Sequence, residues 1–342
     1  MSISYYPGCT LSTKAKNYDR SGRAVAAALG LELVELPEWQ CCGATFPLML
    51  DDSMALIAPT RVLYQAQQAG ERVATLCAIC FNVLRRSQAL LKRDPAMLER
   101  INWFTEQEYR GQVYVAHFLE VLRDDLGWET LAGRVVRPLS GLRVAPYYGC
   151  LLLRPYEEIG LDDPEAPVIL HDLVRALGAE PVDFPYSIEC CGSYLTVKQP
   201  QISETLSQDI VTSAREHGAQ AIVTACPLCH FNLDYPQRET EAGHVGNEVP
   251  VLYFTQLMAV ALGLPEEDCR MDGHYVDPRP LFTLTPPSPP LQGGESPSPP
   301  QGGERPSPLL QGGESDNELS GFGDRFRNQR DAGRVGHCQQ WL

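Results

Sequence analysis

Cys77-Ala78-Ile79-Cys80-Phe81-Asn82 returns 149 residues later as Cys226-Pro227-Leu228-Cys229-His230-Phe231-Asn232, with one residue added. Each CxxC is entered from a short apolar run, Val73-Ala74-Thr75-Leu76 in one case and Ala221-Ile222-Val223-Thr224 in the other. Such runs suit strands buried on both faces of a parallel sheet. Upstream, Cys41-Cys42-Gly43 stands at the same spacing from Cys190-Cys191-Gly192. Further upstream, Tyr5-Tyr6-Pro7-Gly8-Cys9 echoes Tyr147-Tyr148-Gly149-Cys150, where Cys9 and Cys150 are 141 apart. One copy therefore carries extra residues between its first cysteine and its cysteine pair. Downstream, Val113-Tyr114-Val115-Ala116-His117-Phe118 and a later Leu126-Gly127 match Val249-Pro250-Val251-Leu252-Tyr253-Phe254 and Leu262-Gly263. A period kept at so many positions is a tandem duplication.

Between the cysteines each copy alternates strand and helix. Val144 to Tyr148 reads as a strand running into Cys150. Helices are expected over Arg20 to Leu29 and Val168 to Leu177, each closed by a Leu-Gly pair that suits a left-handed cap. The extended runs Glu32 to Leu36 and Pro181 to Phe184 lead to the cysteine pairs, and helices over Met54 to Ala69 and Ser203 to His217 follow them. Every CxxC then falls at the carboxyl end of a strand, where ligands of open α/β sheets collect. The expected fold class is α/β: two similar domains with parallel strands, over residues 1–140 and 141–279. Residues 280–342 hold 10 Pro and 10 Gly, and Pro286 to Glu295 is nearly repeated twice. That composition cannot offset its ordering entropy, so a disordered tail is expected.

The 342 residues are 44% hydrophobic and 21% charged, enough for a sizeable core. A formal charge of −15, from 28 Lys+Arg against 43 Asp+Glu, argues against nucleic acid and against an anionic membrane surface. No apolar run approaches the roughly 18 residues of a spanning helix, so no membrane insertion is expected. The N-terminus shows no basic segment followed by an apolar run, which predicts a cytoplasmic protein. A reducing cytoplasm makes 12 cysteines a poor disulfide framework and a good ligand set.

Ten of the 12 form two sets: Cys9, Cys41, Cys42, Cys77, Cys80, and Cys150, Cys190, Cys191, Cys226, Cys229. A CxxC places two thiolates on one turn, a spacing used by zinc and by iron–sulfur sites. Adjacent cysteines diverge and do not easily share one tetrahedral ion, and five ligands exceed what one Zn²⁺ takes. A glycine after each pair lets the backbone approach a bulky inorganic core. Ligand count and spacing favour a cluster, with structural zinc and redox-active thiols as the alternatives.

The pattern of an isolated Cys, a Cys-Cys-Gly and a CxxC, complete twice over residues 1 to about 275, resembles the cysteine-rich CCG domains found in the B subunit of heterodisulfide reductase. The resemblance implies two non-cubane [4Fe–4S] clusters. One lies on Cys9, Cys41, Cys42, Cys77 and Cys80, the other on Cys150, Cys190, Cys191, Cys226 and Cys229. It further implies a substrate cavity between them, where a disulfide such as CoM-S-S-CoB, or a related sulfur carrier, is cleaved with each sulfur captured at one cluster iron. The implied partners are a cubane-cluster subunit and a flavin subunit of the same complex. This chain has no Cys-x-x-Cys-x-x-Cys-x-x-x-Cys-Pro run of its own, so its electrons must come from a partner. A different class stays open: an electron-transfer subunit of a dehydrogenase complex with no disulfide substrate.

Other residues are candidates of lesser weight. His230, directly after Cys229, offers a proton to a thiolate product or a hydrogen bond to a sulfur, or simply fills the added position. His117 and Tyr253 are expected at helix starts as packing residues. Lys198 and Arg154 are the nearest cations to the second set, for an anionic substrate or for solvation. Asn82 and Asn232, at matching places, are read as helix caps or donors to sulfur. Ile101-Asn102-Trp103-Phe104 reads as a surface-packed segment between the copies, with a partner interface as the alternative. Cys269 and Cys338 are expected to be ordinary thiols.

Overall fold

The computed structural model describes residues 1–43, 53–238 and 248–283. The first half runs β1 (Ser2–Tyr5), α1 (Gly8–Thr13), α2 (Lys16–Ala28), β2 (Glu32–Glu35), α3 (Ile57–Gln68), β3 (Arg72–Thr75), α4 (Ala78–Arg93), α5 (Pro95–Thr105), β4 (Tyr114–His117), α6 (Phe118–Glu120) and α7 (Trp128–Ala132). The second runs β5 (Arg143–Tyr147), α8 (Tyr156–Ile159), α9 (Ile169–Ala176), β6 (Glu180–Pro181), α10 (Leu195–Lys198), α11 (Pro200–Glu216), β7 (Ala221–Thr224), α12 (Pro227–Asp234), β8 (Val251–Tyr253), α13 (Phe254–Ala261), α14 (Glu266–Cys269) and α15 (Arg279–Thr283). The rest of the expected tail, 284–342, lies outside the described residues, Cys338 included.

Both sheets are four-stranded and parallel, with orders β2-β1-β3-β4 and β6-β5-β7-β8. The topology of the duplication is thus repeated strand for strand. Gly30 and Gly178, at φ +77° and +80°, close α2 and α9 in the left-handed conformation. The strand expected over Pro181 to Phe184 shrinks to Glu180–Pro181, which pairs only with Arg143 and Val144. Alternation along β5 turns Pro146 toward that side, beyond the end of the pairing. A proline with no N–H to offer is tolerated there.

The halves share one continuous core, and the described residues belong to one compact unit. Tyr5, Tyr6, Tyr18, Phe81, Tyr147, Tyr148 and Phe254 are all buried to within 1% of completely. Each such ring stabilises the fold by roughly 1.5–3 kcal/mol relative to exposure. Contacts across the halves are specific. The Ser21 and Thr255 hydroxyls meet at 2.7 Å, and the Ala78 amide donates to Ala225 O at 3.1 Å. That last bond ties the start of α4 to the end of β7, so the two CxxC turns lie side by side.

Candidate metal centres

Strand order reverses between β1 and β3, and again between β5 and β7. Crevices for ligands open at the carboxyl ends of strands flanking such a reversal. Those four ends release Gly8-Cys9, Cys77, Gly149-Cys150 and Cys226. Gly8 and Gly149 adopt φ +74° and +62°. A Cβ on Gly8 would lie 2.6 Å from Cys80 Sγ, and one on Gly149 would lie 3.1 Å from Cys229 Sγ. The glycine before each isolated cysteine is what lets the backbone pass the CxxC sulfur.

The adjacent cysteines divide their partners identically in both halves. Cys41 Sγ is 3.5 Å from Cys9 Sγ, while Cys42 Sγ is 3.8 Å from Cys80 Sγ. Cys190 Sγ is 3.8 Å from Cys150 Sγ, while Cys191 Sγ is 3.5 Å from Cys229 Sγ. All exceed the roughly 2.05 Å of a disulfide, and no described cysteine forms one. The neighbouring side chains thus diverge, one turning to the isolated cysteine and the other to the second cysteine of the CxxC. A small cleft, with room for about 10 Å³, lies against Cys150, Cys191, Cys226, Cys229 and, from the other half, Ala78.

These thiols resist ionising together. Their sulfur neighbours, Cys42 and Cys77 in one half and Cys191 and Cys226 in the other, and then burial push Cys80 and Cys229 well above the usual thiol range. Cys42 and burial push Cys41 up to about 12. Cys77 runs the other way: despite its burial, Cys80 and the Ile79 and Cys80 amides at the start of α4 hold it down. Cys191 is lowered to about 7, chiefly by Cys229, with Ser193 N–H and Asn232 helping. Five thiolates in so small a space require a polyvalent cationic centre to coexist, and the donor set fits an iron–sulfur cluster.

The outlying candidates resolve one by one. Helix α12 is continuous, so no residue is inserted after its CxxC. The counterpart of Asn82 is Phe231, and that of Asn232 is Val83. Asn82 accordingly donates across the halves, to Leu151 O at 2.7 Å and Arg154 O at 2.6 Å, whereas Asn232 donates to Cys191 Sγ at 3.4 Å. The tyrosine echo is also offset: Tyr6 and Tyr147 correspond, each donating to the carbonyl just before its cysteine pair, Gln40 O at 2.8 Å and Glu189 O at 2.7 Å. Arg154 is held by Pro164 O, Ile188 O and Glu165, and Lys198 is exposed on α10. Ile101 to Phe104 lies within α5, before β4, and not between the copies; Trp103 there is 82% exposed. His117 and Tyr253 cap α6 and α13. Cys269 is buried, its thiol pushed up to about 11 by that burial.

His230 stacks on Tyr253 at 4.2 Å between centroids, and its Nε2 lies 3.3 Å from His274 Nδ1. With Asp234, these groups fall within 4.8 Å of one another. Gln256 holds the far side of the His230–His274 pair: its Oε1 accepts from Tyr253 N–H, and its Nε2 lies 3.1 Å from Cys269 O, 3.0 Å from Arg270 O and 2.9 Å from His274 Nε2. Sequence reading missed Tyr194, three residues beyond Cys191. On a side chain still 37% exposed, its hydroxyl is raised by partial desolvation and by Cys226 from one set and Cys77, Cys42 and Cys80 from the other.

A duplicated α/β protein with ten cysteines gathered at the strand ends of two parallel sheets is the class these features define. The Cysteine-rich domain (CCG) model matches residues 3–85 and 144–234, and the chain belongs to that family. It is 34% identical over 279 residues to the 8-methylmenaquinol:fumarate reductase membrane anchor subunit of Wolinella succinogenes, covering 80% of this chain and 97% of that one. It is 31% identical over 281 residues to the B subunit of the ferredoxin/F(420)H(2)-dependent CoB-CoM heterodisulfide reductase of Methanosarcina acetivorans, covering 80% and 93%. Both relatives are subunits of oxidoreductase complexes. A solved structure of a hypothetical protein from Helicobacter pylori matches with a TM-score of 0.62 at 12% identity, over 80% of this chain and 51% of that one, a likeness of fold alone. Among the described residues no helix is long and apolar enough to cross a membrane.

Alanine at Gly8 is expected to empty the first centre, since its Cβ displaces Cys80 Sγ and its left-handed backbone costs about 1–2 kcal/mol. Alanine at Gly149, with 3.1 Å instead of 2.6 Å to its sulfur, should retain more metal. Equal iron in the two variants would contradict this.

Proposed function

We propose that each half holds one non-cubane [4Fe–4S] cluster on its five cysteines, and that the chain reduces, or in reverse forms, a disulfide or related sulfur substrate with electrons from partner subunits. The observation that carries this is the juxtaposition of the two thiol sets across the Ala78–Ala225 hydrogen bond, with Tyr194 acted on by both. Cleaving a disulfide takes two electrons and two protons and releases two thiols, and two one-electron centres facing one site match that count. The clusters would supply the electrons and an iron to receive each sulfur. The chain's own residues would shape the site: Leu151, Leu152 and Leu228 line the cleft by the second set and exclude water. His230, which burial keeps neutral beside His274, would serve to pass a proton along the His274–His230 hydrogen bond. A cubane-cluster subunit and a flavin subunit would deliver the electrons, in a reducing compartment such as the cytoplasm, which the free cysteines suit.

The likeness to a fumarate reductase anchor subunit favours a second reading, an electron-transfer subunit with no sulfur substrate of its own. The two separate cleanly. Anaerobically reduced chain, mixed with a panel of small disulfides, is expected to reoxidise with release of about two thiols per disulfide. A chain that stays reduced with every disulfide, yet passes electrons to a soluble dye, is a relay.

A further inference from the structure

The centres differ where the apparent repeat slips. Asn232 Nδ2 lies 3.4 Å from Cys191 Sγ and 3.2 Å from both Cys191 O and Ser193 O. Its Oδ1 lies 2.8 Å from the Thr196 hydroxyl, itself 2.9 Å from Ser193 O and from Ser203 Oγ, and the two carbonyls beside Nδ2 set the amide with its N–H edge toward the sulfur. At 2% exposure, Asn232 meets no competing water. The matching position in the first half is Val83, which has no donor. Asn82, one residue earlier, is turned about 100° round the helix and bonds the Leu151 and Arg154 carbonyls instead.

The surroundings differ in the same sense. Cys9 and Cys41 are exposed, whereas Cys150 is buried and Cys190 half-buried. The Ser203 and Ser207 hydroxyls donate to Cys191 O at 3.1 and 3.2 Å, where the first half has Met54 and Ala58. Gly192 makes that fastening possible: a Cβ there would lie 2.7 Å from Ser203 Cα. The sets thus differ in enclosure at their isolated cysteine and at the first cysteine of the pair, while Cys42, Cys77 and Cys80 are buried as Cys191, Cys226 and Cys229 are.

We infer that Asn232 is a redox-positioning residue of the second centre, its amide supplying to Cys191 sulfur a dipole that Val83 cannot supply to Cys42 in the first. The inference rests on the proposed function, in which each half carries a cluster. Adding an electron increases negative charge on the cluster sulfurs. A fixed N–H pointing at one of them stabilises the reduced state, and burial without such a donor disfavours it. Two centres acting on one disulfide must be reducible within the same range, and the amide offsets the handicap that the greater enclosure of Cys150 and Cys190 imposes on one of them.

The test is a potentiometric titration of the anaerobic, cluster-loaded full chain, followed by electron paramagnetic resonance. Asn232→Val installs what the first half already has. It should lower one midpoint potential by about tenfold in the reduction equilibrium, or 59 mV for one electron, and leave the other unchanged. Thr196→Val, which takes away the hydroxyl beside the amide Oδ1, should move the same potential by less. Asn232→Val with full iron and sulfide and neither potential moved overturns the inference, as does an equal shift of both. Should Asn232→Val shed the second cluster, Thr196→Val decides, and no shift there overturns it. A wild-type chain without iron and sulfide instead overturns the functional reading, and this inference with it.

Discussion

Serine at Cys229 is expected to remove about half of the chain's iron and acid-labile sulfide, from roughly eight of each to roughly four. Cys229 is where the second centre closes: Cys191 Sγ is 3.5 Å away and the Gly149 backbone passes beside it. Serine preserves shape but offers a hard, weakly acidic oxygen where the site is built for soft thiolates. Cys80→Ser should empty the first centre in the same way, and the double variant both. Retention of all iron in Cys229→Ser would remove it from the ligand set. Loss of everything would mean that the halves load as one. One or two zincs without sulfide in the wild type would leave a structural module in place of a redox subunit.

How far the sequence led depended on whether a feature is local. The run Ala221-Ile222-Val223-Thr224 is a strand as read, since four buried apolar or β-branched residues ahead of a CxxC leave few alternatives. The Leu-Gly closures of α2 and α9 were equally legible, because the left-handed cap is a property of one residue. The sulfur sets were legible from their repeated spacing. What the sequence concealed is set by neighbours far along the chain. The Asn82 and Asn232 echo looks like one motif, but a helix turns by about 100° per residue, so Asn82 reaches across to carbonyls of the other half while Asn232 bonds the cysteine pair of its own half. The likeness of Tyr5-Tyr6 to Tyr147-Tyr148 invites a pairing one residue out, and only the carbonyls that receive Tyr6 and Tyr147 correct it. Tyr194 followed a cysteine pair in plain view, yet the sequence did not show that it feels thiols of both sets.

The strongest such dependence is at Tyr18, whose replacement by alanine is expected to destabilise both halves at once. The ring lies on α2 of the first half, stacked on Tyr253 of the second at 4.0 Å and 4°, with Phe254 edge-on at 5.9 Å. Its hydroxyl is 2.5 Å from Leu76 O and 3.2 Å from Ala225 O, the carbonyls immediately before Cys77 and Cys226. Removing a fully buried aromatic ring costs about 3–5 kcal/mol, a large share of the 5–15 kcal/mol that typically holds a domain. Phenylalanine keeps the ring and deletes only the hydroxyl. Leu76 O still accepts from His117 Nε2 at 2.9 Å, and Ala225 O still accepts from the Ala78 amide. Neither carbonyl is orphaned, so Tyr18→Phe should cost only about 1 kcal/mol. Urea unfolding of the three full-length chains measures both values, and a Tyr18→Ala cost below about 1 kcal/mol would refute the shared core. Iron content gives the second, independent readout. Because Tyr18 braces the strand ends that launch both CxxC turns, its loss should lower the two centres together, where Cys229→Ser lowers one. Depletion confined to one half in Tyr18→Ala would mean that each CxxC is held by its own sheet alone.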